Sequence, residues 1–416
     1  MPVPVLTMPA DGVPDVVADE RRLMEAARIL AQGSGPMAVD AERASGYRYG
    51  QRAYLVQLRR EGAGTWLVDP VACPDLSPLA QATAGVEWIL HAANQDLPCL
   101  AEVGMTPGAL VDTELGARLA GLPRVGLSAV TEHYLGVSLA KEHSAVDWSR
   151  RPLPEPWLRY AALDVEILIE LREALLADLQ AQGKAEWARQ EFAALVDFTK
   201  PAPRTDPWRR TSGIHRVRNR RSLGVVRQLW YVRDDVARAR DISPGRVISD
   251  AMLLEVALAT PTTVDQLAKV STNKAVRRYA GQLLEAVRSA LDLPEAALPM
   301  PTPPAEGPPP ARVWADRDPV AAARLQAARA ALLEFAQAHA LPVENLLSPD
   351  TLRRILWEPP EPTSAAVAAA LAERGARPWQ IEATAPLIAA TLAGDNRVPA
   401  GSDRVTRITP APVTDQ

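Results

Sequence analysis

The sequence predicts an α/β domain built on a mixed sheet flanked by helices, followed by one or two small all-α bundles. Three observations carry this. Up to about residue 190, short apolar strand-like runs alternate with helix-period segments. From 219 to 293, and again from about 316 to 395, the pattern is helical throughout. Prolines gather between these stretches, at 201, 203 and 207 and then at 294, 299, 301, 303, 304, 308, 309 and 310. Such density favours extended connecting chain over packed structure.

Taken in order, residues 1–15 are Pro-rich and loose. Residues 18–32 read as a helix with Leu23, Ala26, Ala27 and Leu30 on one face. Three strands follow at 36–42, 53–59 and 64–69; the last two are joined by the turn signal Glu61-Gly62-Ala63-Gly64, which makes an antiparallel meander. Strand and helix then alternate. In the helical part Trp230, Val232 and Val236 open the first helix, and Ile248, Leu253, Leu254, Val256 and Leu258 continue the pattern. Pro261 breaks it before short helices carrying Val264, Leu267 and Val270 and then Tyr279, Leu283, Leu284 and Val287. The expected domains are 15–198, a linker 199–216, a bundle 217–294, a Pro-rich linker 295–315, a second Ala-rich helical domain 316–396 and a disordered tail 397–416.

Composition narrows the class. With 416 residues, 47% of them hydrophobic, the chain can build two to four domains with real cores. The net charge of −4 gives no global signal for nucleic acid, so local charge has to supply one. Cys73 and Cys99 have no metal-ligand spacing and read as reduced thiols. The N-terminus lacks an apolar signal core, and no run of about 18 apolar residues occurs. A cytoplasmic protein with no membrane partner is the expectation.

The chemistry starts at Ala38-Val39-Asp40-Ala41-Glu42, an apolar strand end delivering two carboxylates at i and i+2. Residues so spaced share one face of a strand. Adjacent carboxylates repel unless a cation lies between them, and oxygen ligands select a hard divalent metal. A solvated strand end is the plainer reading. At Val86-Glu87-Trp88-Ile89-Leu90-His91-Ala92-Ala93-Asn94-Gln95-Asp96-Leu97, a strand runs into a turn and Asp96 falls near a helix start, where a first-turn acid would suit the helix dipole. In Tyr160-Ala161-Ala162-Leu163-Asp164-Val165, Tyr and Asp at i and i+4 share a helix face, as they would on any amphipathic helix. Singly each plainer reading stands; four acids and a spaced tyrosine in this order argue against all three together.

These segments resemble the three motifs of the DEDD exonuclease superfamily in its tyrosine-containing branch, and within it the ribonuclease D family. Asp147-Trp148-Ser149-Arg150-Arg151-Pro152-Leu153 ahead of the third motif strengthens the likeness. The resemblance covers about residues 15–190 and implies a ribonuclease H-like fold. The bundle from 217, with its Pro-Thr-Thr-x-x-x-Leu phrase at 261–267, is similar to the HRDC domain, a nucleic-acid-binding bundle; the last helical region resembles a second, degenerate one.

What the likeness implies is specific. The activity would be metal-dependent 3′–5′ exoribonuclease action, releasing 5′-monophosphates from the single-stranded 3′ ends of structured RNA, tRNA precursors above all. Two divalent ions, Mg²⁺ or Mn²⁺, would serve the two ends of an in-line displacement. Asp40 would bridge both; Glu42 and Asp164 would hold the ion carrying the attacking water; Asp96 would support the other. Tyr160, with an ordinary pKa near 10, is a poor base and would orient the water. A DNA 3′–5′ exonuclease with the same site, or a nucleic-acid-binding scaffold without catalysis, are the alternatives. No phosphate-binding Gly-x-x-x-x-Gly-Lys-Ser/Thr loop supports a helicase accessory.

Other candidates follow from charge and aromaticity. His91, His133 and His143 read as structural histidines. Lys141 is a candidate phosphate contact, Asn94 and Gln95 could bond the terminal nucleotide, and Trp148 is either a base platform or a core residue. From Arg204 to Arg240 eleven Arg face three acids, with Arg216, Arg218, Arg220 and Arg221 tightly grouped. This cluster is the expected nucleic-acid contact, with salt-sensitive binding.

Overall fold

The structure, a computed structural model, describes residues 3–140, 143, 145–199, 202, 204–302 and 307–394. The chain forms two compact units. One comprises Met1–Ala117, Arg124–Gln182 and Glu191–Pro304; the other comprises Arg118–Pro123, Gly183–Gln190 and Ala305–Gln416.

The first unit is organised by its strands. β1 (Val5–Leu6) pairs in parallel with β8 (Ser138–Leu139). The main sheet contains β2 (Val16–Val17), β3 (Ser34–Arg43), β4 (Ala53–Glu61), β5 (Gly64–Val68), β6 (Trp88–Leu90) and β7 (Leu110–Asp112), in the order β2-β5-β4-β3-β6-β7. β3, β4 and β5 form the expected antiparallel meander, while β6 and β7 run parallel to β3. Gly62 and Gly64, at φ 74° and 72°, make the β4–β5 turn. β3 lies between β4 and β6, and Met37, Ala38 and Val39 on it are fully buried. Its pairing with β6 spans Met37–Trp88 and Ala38–Ile89. Beyond that register β3 continues alone on this side, so the carboxyl ends of two parallel strands part. Such a gap is where α/β sheets place their sites.

The helix Glu20–Gln32 buries the four residues its periodicity predicts, Leu23, Ala26, Ala27 and Leu30, and Asp19 caps it by accepting from the Arg22 amide. The helix Glu155–Glu166 covers the sheet beside β3, β4 and β5; Ala161 and Ala162 are fully buried and let its axis approach closely.

The expected bundle also belongs to this unit. Its spine, Arg220–Arg240, is capped by Asn219 and packs on Asp250–Ala259 and Ala280–Leu291. The proline-marked linker is more ordered than its composition predicts: Trp208 is fully buried in the bundle's core, because a large apolar ring outweighs the entropy of a free tether. The bundle meets the α/β layer at Gly46–Tyr49. There Ser243 N donates to Tyr47 O at 3.0 Å, the Arg246 guanidinium lies 4.1 Å from the Tyr47 ring centre, and the Tyr49 hydroxyl reaches both Asp234 oxygens at 3.0 Å.

In the second unit the helices Pro319–Ala338, Pro349–Trp357, Ser364–Ala372 and Pro378–Leu392 enclose Trp314 and Trp379, both buried. Trp379 stacks on Trp187 with centroids 4.8 Å apart. The expected tail from 397 lies outside the described residues. No helix among the described residues is long and apolar enough to cross a membrane.

Candidate active site

The gap beyond β3 and β6 is a cleft of about 400 Å³ lined by Asp40, Glu42, Asp96, Tyr160 and Asp164, together with Arg43, His91 and Gln95. The strand alternation that puts Asp40 and Glu42 on one face points both into it. Oxygens of Asp40, Glu42 and Asp164 lie within 4.8 Å of one another. Tyr160 and Asp164, one helical turn apart, project from the helix Glu155–Glu166 into the same space.

Asp96 arrives differently. It precedes the five-residue helix Leu97–Ala101, but its side chain makes no cap there. It turns instead to Asp40, with which it shares a hydrogen bond, and to Arg43, whose Nη2 is 3.3 Å from Asp96 Oδ1. The helix-dipole reading of this acid therefore does not describe it.

The electrostatics are those of crowded, buried like charges. Burial pushes the carboxyls of Glu42, Asp96 and Asp164 well above the ordinary carboxylate range, and the neighbouring carboxylates add to this. Burial raises Asp40 as well, against its bond from the Ala41 amide. Burial, then the charges of Asp164 and Glu42, drive the Tyr160 hydroxyl far above 10; it stays protonated and donates to Asp164. Behind Tyr160 sit Trp148 and Trp157, their ring centres 5.6 Å apart. Trp148 is fully buried, so it is a core residue and no base platform.

The remaining candidates separate cleanly. Asn94 and Gln95 are both exposed; Gln95 lines the cleft and accepts from Arg43 at 3.3 Å. His91 also lines the cleft; its Nδ1 is 2.9 Å from Thr113 Oγ1, and burial lowers its pKa to about 4, so it is neutral at pH 7. His133 stacks edge-on to Tyr134, and His143 lies edge-on to Tyr160 at 6.3 Å. Lys141 lies outside the described residues.

The arginine cluster divides. Arg216 and Arg218 are exposed. Arg220 and Arg221 instead turn to their own chain: Arg220 donates to the carbonyls of Glu295, Leu298 and Pro299, and Arg221 to those of Leu291 and Leu293 and to the Glu295 carboxylate. Carbonyls left open at the end of the helix Ala280–Leu291 and in the turn after it attract cations, which explains the redirection.

Three residues escaped the sequence reading. Arg43, directly after Glu42, brings a cation into the acid cluster. Gln57 stands across the ladder from Asp40, fully buried, with neither amide atom hydrogen-bonded among the described residues. Asp112 closes β7 and binds the turn that leads to Asp96. Its signal was present, since an acid ending an apolar strand is the same pattern that singled out Asp40.

Comparison with known proteins agrees with this geometry. Residues 14–180 match a family model described as 3′-5′ exonuclease, and residues 222–287 match the HRDC domain. Residues 307–392 match a model described as 3′ to 5′ exonuclease C-terminal domain, a different description from the second HRDC-like bundle expected there. The chain is 35% identical over 284 residues to a ribonuclease D of Gluconacetobacter diazotrophicus, covering 66% of this chain and 71% of that one. To the Escherichia coli ribonuclease D it is 32% identical over 275 residues, covering 64% and 72%. Among solved structures, a protein from Bifidobacterium adolescentis superposes with a TM-score of 0.84 at 39% identity over 94% of this chain and 100% of that one. E. coli RNase D, described as an exoribonuclease involved in structured RNA processing, gives 0.63 at 26% identity over 83% and 91%.

Proposed function

The chain belongs to the ribonuclease D family, and on that premise we propose that this 3′–5′ exoribonuclease trims structured RNA such as tRNA precursors, using divalent cations held by Asp40, Glu42, Asp96 and Asp164. The observation that carries the reading is the convergence of three carboxylates within 4.8 Å, Glu42 among them buried, beside a protonated tyrosine in an open cleft.

The residues fit such cations. Like charges this close and this buried are costly without a positive partner, and the donor set is all oxygen, which suits Mg²⁺ or Mn²⁺. The orphaned amide of Gln57 across from Asp40 is a further cost of the kind that functional sites carry. When bound, two such ions supply charge neutralisation and acidify the attacking water.

The protein's own groups do the rest. Tyr160 keeps its proton, so it orients the water rather than deprotonating it. Arg43 sits at the rim, where its guanidinium can pair with a phosphate oxygen as well as with Asp96. In the reaction a water oxygen forms the new bond to phosphorus and the bond to the 3′ oxygen breaks. The leaving 3′ oxygen takes up a proton, and a nucleoside 5′-monophosphate departs. Exposed Arg216 and Arg218 would hold the RNA body by its phosphates, a role that Arg220 and Arg221 are too committed to share.

The test is degradation of 5′-labelled RNA and matched DNA with Mg²⁺ or Mn²⁺, alongside EDTA and Asp40→Asn controls. A cation-dependent ladder shortening from the RNA 3′ end, absent in the variant, is expected. Cleavage of DNA in clear preference to RNA would transfer the reading to a deoxyribonuclease. RNA binding without any shortening would leave only the scaffold.

A further inference from the structure

Asp112 does not line the cleft, yet its carboxylate organises the chain that delivers Asp96. It is 4% exposed and closes β7. Oδ1 accepts from the amides of Ala92 at 3.0 Å, Glu114 at 2.9 Å and Leu115 at 3.2 Å; Oδ2 accepts from Ala93 at 2.9 Å. One buried side chain thus ties the strand end, the start of the helix Thr113–Leu119 and the turn after β6. That turn is strained: Ala92 has φ 61° and ψ 53°, a left-handed conformation that a residue with a Cβ adopts only at a cost. Asp96 follows three residues beyond Ala93 through the short 3₁₀ turn Ala93–Gln95, so whatever fixes Ala92 and Ala93 fixes where Asp96 points.

We infer that Asp112 is a positioning residue for the cation site: by holding Ala92 and Ala93 it aims Asp96 at Asp40. This rests on the cation-dependent reading above.

The geometry offers a selective perturbation. In Asp112→Asn an oxygen retained at the Oδ1 position keeps three of the four bonds. The new NH₂ then faces the Ala93 N–H, and donor meets donor. The helix start remains anchored while the turn is released. In the full-length protein, hydrogen exchange should accelerate at residues 92–96 and remain slow at Glu114 and Leu115. Mn²⁺ binding, followed by electron paramagnetic resonance, should weaken about tenfold or more, and the Mn²⁺ concentration for half-maximal activity should rise in parallel, with most of the maximal rate recovered at saturation. Glycine adopts the left-handed conformation without strain, so Ala92→Gly added to Asp112→Asn should restore part of the Mn²⁺ affinity. Damage confined to the helix would not respond to that glycine.

Parental Mn²⁺ affinity and parental exchange at 92–96 in Asp112→Asn would overturn the inference. So would weakened binding accompanied by faster exchange at Glu114 and Leu115 and no rescue by glycine. If the unaltered protein binds no Mn²⁺, the cation-dependent reading itself fails, which is a separate result.

Discussion

Replacing Glu42 by Gln should stabilise the cation-free protein while abolishing its activity. The carboxylate oxygens of Asp40, Glu42 and Asp164 lie within 4.8 Å. At that distance two unit charges repel by about 3 kcal/mol at an effective dielectric of ~20. Glu42 faces two such neighbours, so the gross relief is about twice that. The cluster can instead take up a proton, which limits the net gain to about 1.4 kcal/mol for each pH unit by which the working pH, or the raised pKa if that is lower, exceeds the ordinary carboxylate pKa. At pH 8 a net gain in stability is expected, read as a higher melting temperature of the variant. The pH dependence has a definite sign. Carboxyls raised by folding bind protons in the native state that the unfolded chain has released. The stability they contribute is therefore greatest at low pH and declines as pH climbs from the ordinary carboxylate range through the raised pKa values. Calorimetry in EDTA from pH 5 to 8 should show this decline in the parent and a shallower one in Glu42→Gln. Adding Mg²⁺ should reverse the order, since a ligand at a hundred times its Kd stabilises the parent by about 2.7 kcal/mol and the variant by less. A variant that melts below the parent in EDTA at pH 8 would refute the picture of mutually repelling acids.

Tyr160→Phe should leave Mn²⁺ affinity intact but slow single-turnover cleavage about 10–100-fold, the value of one hydrogen bond to a charged group; an unchanged rate would remove Tyr160 from water orientation. Arg151 holds Asp69 through two bonds of 2.6 Å and also reaches Tyr54 O at 2.7 Å. Arg151→Met leaves the buried Asp69 without that partner and should cost about 3 kcal/mol in urea unfolding; no shift in the midpoint would mean the clamp is dispensable. Arg216→Ala with Arg218→Ala should flatten the dependence of log Kd for single-stranded RNA on log salt by about 0.7 for each phosphate no longer neutralised. Arg220→Ala with Arg221→Ala should instead lower thermal stability, and the opposite assignment would show that the exposed pair does not bind the RNA.

The amino-acid sequence by itself determined the order of the elements and the identity of the candidate acids. The order of the elements and the shared faces follow from local periodicity: alternation along β3 puts Asp40 and Glu42 on one face, and a single helical turn separates Tyr160 from Asp164 whatever surrounds them; the choice of these acids, Asp96 included, rests on the likeness of their motifs to the family's. The same locality made the helix Glu20–Gln32 legible down to its buried residues. Long-range packing decided what the sequence could not. Proline density marked 199–216 as a tether, yet Trp208 anchors part of it in the bundle, because the gain from burying an indole depends on a core assembled from distant residues. Four arginines looked equivalent along the chain. Only the fold shows two of them consumed by carbonyls some seventy residues away. Asp112, too, looks like an ordinary acid at a strand end. Its four amide donors come from two separate segments, so its hold on the turn to Asp96 exists only once β6 and β7 lie side by side.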